Sequence, residues 1–298
     1  MIDTVPPGGH YSDTVITLRA DGGYDMTVGT AEFGNGTTTV HNQVAATALG
    51  TTPGKIRIRQ SDSDHGGHDT GAYGSTGTVI GGRATQIAGE AMRDRLLDFA
   101  ATNSKAQRSD CTLTADAVMC GAKRIALSEL YSAAQAAGIE LTAAGTTNGS
   151  PRSVAFNVQG FRVAVHPVSG EIRILKSVQA ADAGTVINPM QCRAQVEGGV
   201  AQAIGAAMLE EVLIDDKGRV TTPSFRTYRL PAFADIPRTE VLFAKTKDTL
   251  GPYGAKSMSE SPYNPVAAAL GNAIRDATGV RFYTLPFKPD RIFGQVAK

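Results

Sequence analysis

The sequence predicts a mixed α/β fold of the α+β kind, in which helices and sheets pack in layers. Three observations lead to this expectation. Short runs that alternate between apolar and polar residues, the pattern of half-buried strands, occur in both halves of the 298-residue chain. Longer segments carry apolar residues at helical spacing. The order hairpin, helix, strand, helix recurs with little change, which indicates an internal duplication of one α/β unit.

The first half opens with a predicted hairpin. Residues 14–19 and 24–28 each alternate, and the glycine-containing turn at 21–23 joins them. The next segment has apolar residues at helical spacing and stops at Gly50, because glycine commonly ends a helix. Residues 55–59 form the following strand.

A polar loop at 61–75 separates that strand from a second, longer helix, whose apolar side runs from Ile87 to Leu96. Residues 110–121 resemble a pair of short strands. A short helix follows, and we expect Ser128 to cap its start because a serine hydroxyl can accept a bond from a free backbone N–H.

The second half begins after a cluster of turn residues at 146–153, which we take as the internal boundary. Two long strands are predicted at 154–166 and 171–181. Asn188 and Asn264 each precede a proline and a run of apolar residues at helical spacing, so each opens a predicted helix.

Composition and charge exclude several classes of protein. The net charge is +1, which argues against binding to nucleic acid or to an anionic membrane surface. No apolar run approaches the roughly 18 residues needed to cross a bilayer. The opening residues MIDTVPPGGH lack the basic-then-apolar order of a signal peptide. We therefore expect a cytoplasmic protein.

The cysteine pattern does not suggest a metal site. Cys111, Cys120 and Cys192 have no CxxC spacing. We therefore expect no disulfide framework, no iron–sulfur cluster and no structural zinc in this chain. We interpret the three cysteines as small buried side chains.

The 33 glycines occur in clusters, and two clusters precede predicted helices. These are EFGNGTTT at 32–39 and GAYGSTG at 71–77. Free N–H groups at a helix start suit an anion or a polar cofactor. A simple turn before a helix explains the first cluster equally well, and neither matches a P-loop or a GxGxxG fingerprint.

Two further features are weak on their own. His65 and His68, each beside an aspartate, could bind a divalent cation, although a solvated loop is the favoured interpretation. Glu260 is an isolated carboxylate within the small-residue segment 250–265. An isolated glutamate is more often a surface residue than a catalytic one.

Longer blocks of sequence carry a family resemblance. Together they resemble the molybdopterin-binding subunit of the xanthine dehydrogenase/aldehyde oxidase family, from about Ser12 to Gln295. In order, the blocks are TAEFGNGTTTVHNQVAATALG, GSTGT, RAQVEGGVAQAIGAAMLEEVLIDDKGRV, YRLPAFADIP and GPYGAKSMSESPYNPVAAALGNAIRDATG.

The resemblance reaches only the C-terminal part of the family's longer chain, and MIDTVPPGGH looks like the interior of that chain. The sequence is therefore either a naturally split subunit or a piece of a longer protein. The resemblance implies two related sheet-plus-helix subdomains of the molybdenum cofactor-binding type, at 1–150 and 151–298.

The resemblance also implies site residues. The family's GQG loop, which contacts the molybdenum centre, corresponds to Phe33-Gly34-Asn35-Gly36, and Asn35 is one methylene shorter than the usual glutamine. The family's Ala-Ser-x-Ser loop, which holds the pterin, corresponds to Gly74-Ser75-Thr76-Gly77. The pterin-contacting glutamine corresponds to Gln195.

The family's catalytic glutamate corresponds to Glu260, with Ser259 where a glycine is usual. This match implies that Glu260 is the general base in a hydroxylation that takes its oxygen from water. The substrate carbon would belong to an N-heterocycle or an aldehyde. We favour a purine or pyridine type, since the FGNG form of the loop resembles such enzymes most.

The implied cofactor is molybdenum–molybdopterin, either plain or as the cytosine dinucleotide. [2Fe–2S] clusters and FAD are expected on partner subunits, because this chain has neither the cysteine set nor a flavin motif. The implied partners are an N-terminal molybdopterin-binding chain or segment, an iron–sulfur subunit and an FAD subunit, besides a small-molecule substrate.

Two alternatives stay open. The chain could be a non-catalytic fragment or assembly module that binds no cofactor alone, which the departures at Asn35 and Ser259 mildly favour. A metal-binding protein that uses His65 and His68 is the remoter alternative, and zinc or nickel titration would distinguish it.

Overall fold

A computed structural model describes residues 2–3, 9–148, 153–256 and 258–296. The strands are β1 (Ile2–Asp3), β2 (Tyr11–Leu18), β3 (Tyr24–Val28), β4 (Ile56–Gln60), β5 (Cys111–Leu113), β6 (Ala117–Cys120), β7 (Lys123–Ala126), β8 (Thr142–Asn148), β9 (Ala155–Phe156), β10 (Val158–Val165), β11 (Ile172–Ala181) and β12 (Thr239–Phe243). The α-helices are α1 (Thr37–Leu49), α2 (Gly82–Ser104), α3 (Leu127–Ala136), α4 (Pro189–Met208), α5 (Val266–Thr278) and α6 (Pro289–Val296).

The first sheet has four strands in the order β4-β3-β2-β8. β2 and β3 form the predicted antiparallel hairpin, and β4 lies parallel to β3. A parallel neighbour requires a crossover connection, and α1 supplies it. α2 packs across β2 and β8. The predicted order of hairpin, helix, strand and helix is confirmed here.

The second sheet repeats this arrangement with three strands, β10-β11-β12. β10 and β11 are antiparallel, β12 lies parallel to β11, and α4 forms the crossover. α5 then packs against β10, as α2 packs against β8. The two units thus share one topology. The division into subdomains near residue 150 stays a prediction, and residues 149–152 lie outside the described ranges.

Each unit has its own buried apolar cluster. The first lies between the four-stranded sheet and helices α1 and α2, and its largest members include Ile16, Tyr24, Met26, Leu49, Met92 and Leu96. The second lies between the three-stranded sheet and helices α4 and α5, and its members include Val200, Ile204, Leu270, Ile274 and Ile292. Within the described residues, no helix combines the length and the apolar character that crossing a membrane requires.

The segment after α2 forms a separate sheet. The strand pair predicted at 110–121 is confirmed as β5 and β6, and β7 adds a third strand that was not predicted. Cys111 lies directly opposite Cys120 in the β5/β6 ladder, and the two form a disulfide. These two cysteines are buried, as expected, but they are joined by a disulfide that was not expected. The pairing register of β5 and β6 brings the two cysteines together, and a search for CxxC spacing does not detect such a pair. Cys192 is the free cysteine.

One helix cap was predicted wrongly, and some elements were not predicted at all. α3 is not capped by Ser128: the Glu129 carboxylate accepts the N–H of Ala126 at 3.0 Å, and the helix begins at Leu127. The local sequence pattern did not predict β8, β12 or α6, and residues 146–148 of the predicted turn cluster belong to β8. β12 follows a long irregular segment, so no hairpin partner nearby in sequence marks it as a strand.

Candidate functional site

Four loops meet at the junction of the two units and enclose a cavity of about 140 Å³. In each unit, one loop lies between the hairpin and the crossover helix, and the other precedes the second helix. The cavity therefore lies between topologically equivalent loops of the two units. Six residues that the family resemblance assigns to the cofactor line it: Phe33, Asn35, Ser75, Gly77, Gln195 and Ser259.

The loop before α1 is held by a residue that the sequence analysis did not single out. The Glu32 carboxylate accepts backbone N–H groups from Gly34 at 2.8 Å, Gly36 at 3.0 Å and Thr38 at 3.0 Å. Partial burial raises the pKa of Glu32, but these three N–H groups outweigh it and lower the pKa to about 2.

This finding changes the interpretation of the glycine-rich helix start. The free N–H groups that we expected to meet an anionic ligand already bind the chain's own carboxylate. An acidic residue close before a helix start is the sequence signal that would have indicated it. These three N–H groups are therefore not free to bind a ligand.

Two side chains of the loop reach the cavity. Phe33 is 69% exposed. The amide oxygen of Asn35 accepts the backbone N–H of Thr37 at 3.3 Å and its hydroxyl at 3.1 Å. These bonds turn the oxygen of Asn35 toward α1, so its NH₂ group is the part left to a ligand.

The loop before α2 adopts a compact turn. Gly74 and Ser75 are consecutive residues with positive φ, 64° and 61°. Glycine takes this conformation freely, whereas a serine there is held by its surroundings. A wide helical turn over Gly77–Gly81 then leads into α2. Gly77 and Thr78, at the start of that turn, line the cavity.

A hydrogen-bonded pair joins the second loop to the fourth. The Ser75 hydroxyl donates to Glu260 Oε2 at 3.2 Å and accepts the backbone N–H of Glu260 at 2.9 Å. Ser75 is buried, and Glu260 is exposed beside the cavity. The structure therefore brings together two predicted site residues that are 185 positions apart in the sequence.

Helix α4 forms another wall. Asn188 caps it by accepting the N–H of Gln191 at 3.1 Å. Gln191, Cys192 and Gln195 lie on one helix face and line the cavity. Gln191 also packs on Gly36, where a Cβ would come within 2.9 Å of its amide. Its spacing of four residues from Gln195 is the signal that could have identified Gln191. Burial raises the pKa of the Cys192 thiol to about 11, so it stays protonated near neutral pH.

The histidines do not form a metal centre. His65 and His68 are exposed in the 61–75 loop, and across the described residues no three His, Cys, Asp or Glu side chains come close enough to hold a metal ion. His41 is instead buried, with its Nδ1 2.7 Å from the Thr85 hydroxyl. Burial lowers the pKa of His41 to about 4, so the ring is neutral near pH 7.

Known proteins resemble this chain along nearly its whole length. The probable hypoxanthine oxidase XdhD of Escherichia coli K12 is 32% identical over 291 residues, covering 96% of this chain and 30% of that protein. The nicotine 6-hydroxylase large subunit of Paenarthrobacter nicotinovorans is 28% identical over 299 residues, covering 95% and 36%.

A solved structure agrees in fold. Quinoline 2-oxidoreductase from Pseudomonas putida 86 superposes with a TM-score of 0.92 at 28% identity, and the match covers 100% of this chain and 41% of that one. The chain thus spans between 30% and 41% of the length of these relatives. The family model of the molybdopterin cofactor-binding domain matches residues 3–237. Because that match includes most of the sequence, the chain belongs to the molybdopterin cofactor-binding domain family.

Proposed function

We propose that this chain contributes the cofactor cradle and the general base of a molybdenum hydroxylase. The reaction is the oxidative hydroxylation of an electron-poor carbon, in an N-heterocycle of purine or pyridine type or in an aldehyde, with oxygen from water. One observation carries the proposal: Glu260 is hydrogen-bonded to Ser75 beside a cavity that six of the eight expected cofactor residues line, although Gly34 and Gly74 do not.

The residues around the cavity fit a pyranopterin. The side-chain amides of Asn35, Gln191 and Gln195 suit the hydrogen-bonding edge of a pterin ring. Gly77 and Thr78 stand at a helix start, where free backbone N–H groups suit a phosphate. Gly36 leaves room for the amide of Gln191, which a Cβ at residue 36 would approach to 2.9 Å. The metal would be held through the cofactor's own sulfur atoms, either in the plain or in the cytosine dinucleotide form.

The size of the cavity supports a site shared with other chains. Pockets that enclose a whole ligand are commonly about 300–1,000 Å³, whereas this cavity is about 140 Å³. We propose that an N-terminal molybdopterin-binding chain or segment supplies the remaining walls. Electrons would leave through [2Fe–2S] clusters and FAD on further subunits. The relatives include a protein named as subunit gamma of a dehydrogenase complex. We assign the assembly to the cytoplasm.

Within this site the chain performs three tasks. The cofactor, when bound, supplies the two-electron redox chemistry. Glu260 accepts the proton of the attacking water-derived oxygen, for which it must lie within hydrogen-bonding distance. Ser75 orients Glu260 through the two bonds described above. Asn35, Gln191 and Gln195 fix the position of the ligand, so that the substrate carbon meets the oxygen in one geometry.

The test is Glu260→Gln in the assembled enzyme. The amide keeps the shape and the bond from Ser75 but cannot take the proton, so we expect kcat to fall by about 10²–10⁴-fold. Molybdenum content should be unchanged. Glu240→Gln, at an exposed position on β12, is the matched control and should keep full turnover. Turnover retained by Glu260→Gln would disprove the general-base role, and loss of molybdenum would make Glu260 structural.

The alternative is a non-catalytic module that binds no cofactor alone. Molybdenum analysis of the natively purified protein separates the two. Stoichiometric molybdenum with iron-containing partners supports the hydroxylase. Absence of both, in a host able to make the cofactor, supports the alternative.

A further inference from the structure

Asp182, directly after β11, carries a carboxylate that is almost fully buried, with the residue 3% exposed. It accepts four hydrogen bonds from four residues of the chain. Oδ2 accepts the Phe156 N–H at 3.2 Å and the Lys256 ammonium at 2.9 Å. Oδ1 accepts the Thr246 hydroxyl and the Gly184 N–H, the latter at 3.4 Å. A buried carboxylate with so many donors is held in one position.

Lys256 is the charged partner. Of the described residues that line the cavity, it alone carries a charge. Its side chain is 12% exposed. Its backbone N–H donates to the Ala183 carbonyl at 2.9 Å, and the N–H of Thr185 donates to the Gly254 carbonyl at 2.9 Å. These bonds tie the loop before α4 to the chain segment that reaches Glu260 four residues later.

A buried ion pair is a weak source of stability, because desolvation of both charges offsets their attraction. The hydrogen bonds of an ion pair do, however, fix the relative position of its two side chains, whereas two apolar side chains can pack in several positions. The first unit makes its equivalent connection without such a pair: the hydroxyl of Thr30, just after β3, donates to Asp69 in the loop before α2 at 2.7 Å. The charged connection occurs in the unit that carries Glu260.

We propose that Asp182 and Lys256 are a positioning pair, which holds the Glu260 segment in register with Ser75 and the cavity. This proposal rests on the proposed function, since it assigns the pair to the placement of the general base. Neither residue is proposed to contact the reacting atoms. They act through the backbone that leads to Glu260.

The experiment compares variants of the assembled enzyme. Lys256→Met alone leaves a buried unpaired carboxylate and could prevent folding, so the decisive variant is the double Asp182→Asn/Lys256→Met, which removes both charges. Lys256→Arg keeps the charge. Lys176→Met is the control, because it removes an exposed ion pair with Glu240, between β11 and β12 of the same unit. Four quantities are measured: kcat, KM, molybdenum content and amide hydrogen exchange of residues 258–263.

We expect the double variant to retain molybdenum, to exchange these amides faster and to lose about 10–100-fold in kcat with a smaller change in KM. The single variant Lys256→Arg should keep most of the wild-type kcat. If the double variant has the amide exchange rates and the kcat of the wild type, the proposal is overturned. Loss of molybdenum would also overturn it, because the pair would then serve to retain the cofactor. Amide exchange can be measured without turnover, so it tests the structural role of the pair separately. If the double variant exchanges faster while Glu260→Gln keeps full activity, the proposed function is refuted but the structural role of the pair is not.

Discussion

The two α/β units have the same topology but hold their loops by different chemistry. In the first unit, the loop after the hairpin is anchored by the exposed carboxylate of Glu32, which accepts three backbone N–H groups. In the second, the buried pair Asp182–Lys256 joins the loop after the hairpin to the segment before α5. The repeated topology thus determines where the cavity lies, while individual side chains determine what each wall can do.

A strand glycine of each unit has different surroundings. In the first unit, a Cβ on Gly145 of β8 would collide with the Ala84 carbonyl and the Ala88 amide of α2. In the second, Gly160 of β10 is exposed and has no neighbour within 4 Å of its Cβ position. Gly145 therefore lies in a close helix–sheet contact, whereas Gly160 does not.

The largest expected effect is therefore at Gly145. Gly145→Ala should lower the free energy of unfolding by about 3 kcal/mol, because backbone atoms of a packed helix must move to admit the methyl group. The matched change Gly160→Ala should alter it by less than about 0.5 kcal/mol. Urea unfolding of both variants measures the difference. Equal effects would show that the backbone of α2 moves to admit the methyl group at little cost.

A smaller effect is expected at Glu32, and it should depend on pH. Glu32→Gln should cost about 1 kcal/mol near neutral pH, the usual size of a lost capping acceptor. The folded pKa of about 2 lies below the ordinary 4.5. The stabilisation from Glu32 is thus fully present above about pH 4.5 and is lost as the pH falls toward 2. The gap between wild type and variant should shrink over that window.

Asn188→Ala provides the contrast for Glu32→Gln. It removes the cap of α4, the equivalent helix of the second unit, and involves no titrating group. Its cost should therefore be the same at about pH 6 and about pH 3. Denaturant midpoints at both pH values test this. A pH-independent gap for Glu32→Gln would mean that its carboxylate is not the anchor of the first loop.

The smallest effect concerns the exposed pair between Lys176 and Glu240, at 3.3 Å. Lys176→Met should change the free energy of unfolding by less than about 0.5 kcal/mol, because solvent screens both charges. Thermal melting at low and high salt measures it. A larger, salt-insensitive loss would show that this exposed pair contributes to stability as a buried pair would.

Much of the fold follows from local pattern. The hairpin β2–β3, the helix that ends at Gly50 and the helix that begins after Asn188 were predictable, because strand alternation, turn glycines and caps act over a few residues. β12 and the disulfide between Cys111 and Cys120 were not, because each depends on pairing with a strand whose register the local sequence does not show.

The sequence by itself determined the family, the repeated order of elements and the residues expected around the cofactor, since those are carried by motifs and short-range periodicity. Only the tertiary structure decided that Glu32 occupies the N–H groups of the first loop, that Ser75 meets Glu260 and that Asp182 meets Lys256. The physical reason is that these contacts join loops that only packing brings together. Their strength depends on distance and burial, which cannot be read from the sequence.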